Sequence, residues 1–152
     1  NLNMRNLTHP LIIAFLTLLS CQDNITEKGI VYLSPDCSCC HKWVMHMEEN
    51  DFRLEENKDS DMFDIKTNAG VPEDLTSCHT AVIDGYFIEG HVPADDVKRL
   101  LKEKPDNIIG LTAPGMPAGI NVPGMEVNDE RASFDVLAIN SEGESSVWKH
   151  HE

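Results

Sequence analysis

Residues 34–43 read Ser-Pro-Asp-Cys-Ser-Cys-Cys-His-Lys-Trp and place three thiols within four positions. An apolar run ending at Leu33 precedes this stretch and apolar residues at helical spacing follow it, which predicts a strand-to-helix junction. The first amides of a helix have no partners inside the helix and carry part of its positive dipole, so a thiolate there is stabilised and its pKa falls. The junction therefore predicts a reactive thiol site.

Two chemistries fit these thiols, and the residues alone leave both open. Cys37 and Cys40 form a Cys-x-x-Cys pair, which is typical of a thiol-disulfide oxidoreductase. Together with Cys39 they instead form a cluster of soft ligands, which favours Cu(I), because zinc sites usually take pairs of ligands from separate turns. Clustered thiolates can also bridge more than one copper ion. Cysteines this crowded cannot link distant parts of a chain, so the spacing argues against structural disulfides.

The composition is that of a globular domain with an acidic surface. The chain has 152 residues, of which 41% are apolar, and this is enough for one domain with a modest core. Twenty-six acidic and 12 basic residues give a formal net charge of -14. That charge has the wrong sign for contact with a phosphate backbone, so we exclude nucleic acid as a partner.

The N-terminal stretch predicts export. Arg5 precedes an apolar run over residues 11–19, and Leu-Leu-Ser-Cys at residues 18–21 resembles the bacterial lipobox, in which the cysteine becomes the lipidated first residue. We expect a lipoprotein signal peptide over residues 1–20 and lipidation of Cys21. The protein would then be periplasmic and anchored to the outer membrane, because Gln22 rather than Asp follows the cysteine. An ordinary signal cut nearby, with Cys21 left as a spare thiol, is the alternative.

Residues 21–28 are polar and predict a tether, and residues 29–148 predict one metal-binding domain of the α/β class. Its last part is expected to be an irregular Pro/Gly/Met loop at residues 110–125, an extra C-terminal strand at residues 134–139 and a candidate return at residues 147–148. The preceding elements have the order βαβαββα, the layout of a thioredoxin or glutaredoxin core. They are a strand at 30–33, a helix at 39–49, a strand at 52–55, a helix at 60–69, a hairpin of strands 80–83 and 86–89 around Asp84-Gly85, and a helix at 94–104.

Residues 32–40 resemble the entrance of glutaredoxins to their active-site helix. On that pattern His79, preceded by Cys78, takes the place of the cis-proline that faces the redox cysteines. The resemblance therefore implies that two separate stretches of the chain meet at one site, formed by Cys37, Cys39, Cys40, Cys78 and His79.

A longer stretch, residues 29–139, resembles the family known as domain of unknown function 411, which includes CopG-type periplasmic copper-resistance proteins. The motifs that carry this resemblance are Ser-Pro-x-Cys-x-Cys-Cys at 34–40, Lys42-Trp43, Ser-Cys-His-Thr-Ala at 77–81, Asp-Gly-Tyr at 84–86, Glu-Gly-His-Val-Pro-Ala-Asp at 89–95, Pro-Gly-Met-Pro at 114–117 and Pro-Gly-Met-Glu at 123–126. The family implies a thioredoxin-like fold that binds copper through its cysteine motif. We accordingly expect a copper-resistance protein that sequesters Cu(I) or cycles it with Cu(II), with other periplasmic copper proteins as candidate partners and a copper oxidoreductase activity left open.

Further candidate ligands lie outside the five core positions. Two of them, Met116 and Met125, lie in the Pro/Gly/Met loop. Their thioethers are soft ligands that remain available in an oxidising compartment, although both side chains could equally pack the loop onto the core. The candidates are His91, Met116, Met125 and His41.

Overall fold

Seven strands and three α-helices form the described part of this computed structural model, residues 27–58 and 61–152. The expected signal peptide and Cys21 lie outside the described residues, and the last two residues of the expected tether belong to the first strand. The elements are β1 Glu27–Leu33, α1 Ser38–Glu49, β2 Phe52–Asn57, α2 Met62–Ala69, a 3-10 turn Glu73–Leu75, β3 His79–Ile83, β4 Tyr86–Gly90, α3 Ala94–Glu103, β5 Ile108–Ala113, β6 Phe134–Asn140 and β7 Ser145–His151.

All seven strands belong to one mixed sheet with the order β2-β1-β3-β4-β5-β6-β7. The pairs β1/β2 and β4/β5 are parallel, and the remaining pairs are antiparallel. In the β1/β3 pair Leu33, the last residue of β1, lies opposite His79, the first residue of β3. The chain that leaves β1 and the chain that enters β3 are therefore neighbours at one end of the sheet.

Helix α1 follows β1 directly and packs one face into the core. Its buried residues recur at helical spacing, as the sequence predicted, and they are Cys40, Trp43, Val44 and Met47. Burial of such an apolar stripe, rather than intrinsic propensity, stabilises most helices in proteins. The thiol motif therefore starts a helix whose position in the core is fixed.

The β3/β4 hairpin turns at Asp84 and Gly85, both of which have positive φ angles, 48° and 84°. This geometry favours the Asp-Gly dipeptide in a two-residue turn. Lys104, which caps the end of α3, forms an ion pair with Asp84 at 2.7 Å. The predicted hairpin is thus present and tied to the following helix.

The sequence prediction missed one strand in the C-terminal part of the domain, whereas the predicted strand at residues 134–139 is present as β6. Strand β5 includes residues 110–113, which the sequence pattern assigned to the irregular loop. Gly110 interrupts the apolar run of this strand, which is why the pattern suggested a loop. In the structure it lies opposite Phe87 of β4, where a Cβ atom would be 2.4 Å from the Phe87 ring.

The candidate return at residues 147–148 is also confirmed and is longer than predicted, because β7 pairs with β6 from Phe134 to Ile139. Strand β7 is mostly exposed and contacts α3 through side chains. The Arg99 guanidinium lies 4.0 Å from the Trp148 ring centroid, and His151 Nε2 is 2.6 Å from the buried carboxylate of Asp96. These contacts explain why so polar a segment forms a strand. Strand β7 continues to His151, beyond the predicted domain end at residue 148.

None of the helices in the described ranges has the length and apolar content required to cross a membrane.

Replacing Gly110 by alanine should lower the free energy of unfolding by about 2 kcal/mol, because the added methyl group must displace the Phe87 ring or separate two paired strands. Chemical denaturation of the metal-free protein measures this loss. A matched control is Gly85→Asn, since asparagine adopts positive φ readily and no atom lies within 4 Å of a Cβ there. Equal stability of the two variants would contradict the packing argument.

Candidate metal centre

The start of α1 carries a disulfide. Cys37 is the residue before the helix, and its sulfur is bonded to that of Cys40 in the first turn. Cys39 and Cys78 are the free cysteines of the part of the chain that the structure describes. The crowded spacing argued against structural disulfides, and this bond indeed links no distant segments. It joins the Cys-x-x-Cys pair, so the structure represents the oxidised form of that pair.

Four sulfur atoms lie together at this end of the sheet, and we call them the sulfur cluster. Those of Cys37, Cys39, Cys40 and Cys78 are all within 4.8 Å of one another. The sulfurs of Cys37 and Cys39 are 3.5 Å apart. Cys78 reaches the group because the β1/β3 pairing places the residue before β3 beside the chain that leaves β1.

Cys78 also belongs to a second group, the Cys-His cluster, with His79 and His91. Its sulfur is 3.3 Å from His79 Nδ1 and 3.3 Å from His91 Nε2. The structure therefore brings together the five residues of the predicted site and adds one of the further candidates, His91. The two clusters share a single sulfur atom.

The orientation of His91 is fixed by the backbone of the Pro/Gly/Met loop. Its Nδ1 lies 2.8 Å from the carbonyl oxygen of Pro123, and since a carbonyl oxygen only accepts, Nδ1 must carry the proton and donate it. In the neutral ring Nε2 then has a free lone pair, and this atom faces Cys78. A hydrogen bond of this kind from the second ring nitrogen is usual for histidines that bind metals.

Gly124, the next residue, brings the loop against the start of α1. A Cβ atom there would lie 2.6 Å from the carbonyl oxygen of Cys39 and 2.9 Å from the amide nitrogen of Trp43, and the residue has a φ of 82°. Only glycine combines this conformation with so close an approach. The sequence drew attention to the methionines of the Pro-Gly-Met units, whereas the backbone of Pro123 and Gly124 is what contacts the site.

His79 is fully buried and only partly satisfied. Its Nε2 has no hydrogen-bond partner among the described residues, and its ring packs 4.5 Å from that of Trp43. The nitrogen that faces the Cys78 thiol is Nδ1, and this atom could bind an ion held together with that thiol and His91. Together with a thiol and a second imidazole, this donor set suits a transition-metal ion.

Burial also governs protonation in the metal-free centre. Desolvation, followed by the proximity of His91 and Lys66, lowers the pKa of His79 to about 3. Desolvation likewise lowers the pKa of His91 and raises that of the Cys78 thiol. A metal ion would therefore meet two neutral imidazoles and would have to displace a proton from Cys78.

Two hydrogen bonds from α1 hold the chain segment that follows His91. Trp43 Nε1 donates to the carbonyl oxygen of Val92 at 2.8 Å, and the amide of Ala94 donates to His46 Nε2 at 3.1 Å. No local pattern in the sequence indicates a role for either side chain. Because Trp43 and His46 are one turn apart on α1, they fix His91 relative to the cysteines of the same helix.

The other candidates are found elsewhere. The ring nitrogens of His41 contact Glu56 and the carbonyl oxygen of Pro35 near the surface, outside both clusters. Met116 is 53% exposed, whereas Met125 packs against the hydrophobic core. A ligand role for any of these three stays a prediction.

The chain is similar to proteins of one family. A family model described as "Protein of unknown function, DUF411" matches residues 75–125. Two solved structures named "Copper resistance protein copG", forms 2 and 1, have TM-scores of 0.77 and 0.75 at 37% and 38% sequence identity. Their similarity covers 83% and 82% of this chain and 98% and 96% of theirs. No curated protein matches the sequence.

The low pKa of His79 predicts a specific pH dependence of stability. The ordinary pKa of a histidine is 6.5 and that of His79 in the fold is about 3, so between these values the unfolded chain binds a proton that the folded chain does not. The free energy of unfolding should therefore fall as the pH is lowered through this window, by up to about 1.4 kcal/mol per pH unit from this group.

Urea denaturation of the metal-free protein and of His79→Gln at pH 7, 5.5 and 4.5 measures this effect. The variant should lose less stability than the wild type over the same interval, while the carboxyl groups contribute to both proteins. Parallel losses in the two proteins would contradict the assignment of a buried, neutral His79.

Proposed function

This chain belongs to the DUF411 family of CopG-type copper-resistance proteins, and we propose that it binds copper ions at the sulfur cluster and the Cys-His cluster as its contribution to copper resistance. The observation that carries the proposal is that Cys78 belongs to two groups of donor atoms. Within each group the donor atoms all lie within 4.8 Å of one another. Copper as the metal is supported by the names of the two solved relatives and by the softness of the donors.

The donor set suits copper in more than one state. With the Cys37–Cys40 bond reduced, four sulfurs are available, which favours Cu(I), and Cys78 can bridge ions in the two clusters. With the bond formed, the donors left are Cys39, Cys78, His79 and His91. Imidazole nitrogens bind either oxidation state, so the proposal includes both sequestration of Cu(I) and cycling with Cu(II), the latter with an external one-electron donor and acceptor.

We further propose that β1 to β4 with the three helices is a thioredoxin-like core. The strand order β2-β1-β3-β4, with β1/β2 parallel and the other two pairs antiparallel, supports this assignment. So does the position of the Cys-x-x-Cys pair at the start of α1. Strands β5 to β7 would then be an extension of that core.

A thiol-disulfide oxidoreductase is the second candidate function, and the Cys37–Cys40 disulfide at a helix start is the observation that favours it. Against it, the residue that begins β3 is His79, whereas the resemblance to glutaredoxins requires a proline. Two further thiols beside the pair, Cys39 and Cys78, would also compete for mixed disulfides. Rapid reduction of insulin by a protein that retains no copper would favour this second function.

Anaerobic titration of the reduced protein with Cu(I), in competition with a chelator of known affinity, tests the copper proposal. Cys78→Ser/His79→Ala should lower the affinity at least about tenfold, or about 1.4 kcal/mol, because both clusters lose a donor. Adding Cys39→Ser to this variant should cost much less than it does in the wild type, since residues of one centre are non-additive. His150→Gln is the control and should bind as the wild type does, because the His150 ring contacts Asp135 on β6 and belongs to neither cluster.

Simple addition of the losses in the combined variant would indicate two independent sites. Wild-type protein that binds no Cu(I) after reduction would refute the copper proposal itself.

We also propose that residues 1–20 direct export and that Cys21 is lipidated, which would hold the domain at the periplasmic face of a membrane. The lipobox-like sequence at residues 18–21 supports this. Cys21→Ala should move the protein out of the membrane fraction or leave the precursor uncleaved, and fractionation with mass spectrometry of the N-terminus measures both. Unchanged membrane association of a variant cleaved at another residue would contradict lipidation.

A further inference from the structure

Glu89 is a carboxylate with no solvent exposure, and it lies on β4 two residues before His91. Burying a carboxylate costs several kcal/mol unless partners compensate. Glu89 has three such partners. Lys66 Nζ and the backbone amide of Ser77 donate to its Oε1, and the hydroxyl of Thr80 donates to its Oε2 at 2.6 Å.

Two of these partners lie on either side of the metal-binding pair. Ser77 immediately precedes Cys78, and Thr80 immediately follows His79. One carboxylate therefore holds both ends of the four-residue segment that supplies two of the three donors of the Cys-His cluster. Lys66 Nζ strengthens the arrangement by donating also to Thr80 Oγ1 at 2.9 Å.

The neighbouring residue leaves this segment little freedom. Gly90 has a φ of 71°, and a Cβ atom there would be 2.6 Å from Ser77 Oγ and 3.0 Å from the carbonyl oxygen of Ala113. The segment before β3 thus packs directly on the end of β4, the strand that leads into His91. Glu89 links the chain at Cys78 and His79 to the chain at His91.

We propose that Glu89, neutralised by Lys66, is a positioning residue of the metal centre, which fixes Cys78 and His79 relative to His91 before an ion binds. Its contacts are to residues beside the donors, so it acts through them. The inference deepens the proposed function and rests on it for the identity of the ion. Partners of this kind typically contribute about 10-fold to 100-fold to metal affinity, because the protein then need not reorganise on binding.

A purely structural role is the competing explanation, and the ion pair allows the two to be separated. In Glu89→Gln the side chain keeps its shape, but the amide loses one acceptor and leaves Lys66, only 13% exposed, without its counter-charge. In Glu89→Leu/Lys66→Met both the unpaired cation and the hydrogen-bonding side chain are gone, so part of the lost stability should return. The hydrogen bonds from Ser77 and Thr80 to residue 89 remain absent, so metal affinity should stay low.

The experiment measures Cu(I) affinity by chelator competition and the ligand-field spectrum of bound Co(II), using reduced protein. We expect Glu89→Gln and the double variant both to lose about tenfold or more in Cu(I) affinity and to shift the Co(II) bands. Asp96→Asn is the matched control, because Asp96 is also a buried carboxylate and pairs with His151, away from both clusters. It should lose stability and keep the wild-type affinity and spectrum.

A double variant that regains affinity together with stability would overturn the positioning role, and so would a Glu89→Gln protein with the wild-type affinity and spectrum.

A measurement without metal separates failure of the positioning role from failure of the copper proposal. In Cys39→Ser with the disulfide intact, Cys78 is the one free thiol among the described residues, and Glu89→Gln should change its alkylation rate several-fold while Asp96→Asn should not. If the wild type binds no Cu(I), the copper proposal fails and the alkylation rates alone decide the role of Glu89.

Discussion

The candidate metal centre depends on the antiparallel pairing of β1 with β3. With Leu33 opposite His79, the residues that follow β1 and those that precede β3 lie at the same end of the sheet. Neighbouring strands are about 4.8 Å apart, so side chains just beyond their ends can touch. If β3 ran parallel to β1, Cys78 would lie at the opposite end of the sheet from Cys37. Strand direction thus decides whether four cysteines form one cluster.

A loop with no regular structure makes the next contribution. Pro123 supplies a carbonyl oxygen that sets the tautomer of His91, and Gly124 allows that loop to approach the start of α1. The family model matches residues 75–125, a range that includes Cys78, both histidines and this loop but not the Cys-x-Cys-Cys motif. The matched range therefore contains both histidines and the loop that orients His91.

Sequence patterns predicted the structure correctly where one local signal determined it. The buried stripe of α1 repeats every three or four residues, and the Asp84-Gly85 turn has a conformation that few dipeptides adopt. The prediction that Cys78 meets the first motif required a resemblance to a known fold, since nothing near Cys78 in the sequence indicates its partners.

The predictions failed where contacts between distant parts of the chain determined the structure. Gly110 resembles a strand breaker because the pattern cannot reveal that the Phe87 ring fills the space of its missing side chain. Glu89 resembles an ordinary exposed charge at the end of a hairpin until the sheet places three donors around it.

The charge state of the metal-free centre explains how so many polar donors can be buried together. The disulfide carries no charge, burial raises the pKa of the Cys78 thiol, and the low pKa of His79 and His91 keeps both imidazoles neutral. The charged pair beside them, Lys66 with Glu89, is balanced within itself. Charge would therefore enter only with a cation, at the moment when thiolates form to compensate it. Cys40, His79 and His91 are buried and the other three cysteines are partly buried, which disfavours both an isolated thiolate and an isolated ion. We therefore expect metal binding to be coupled to loss of thiol protons.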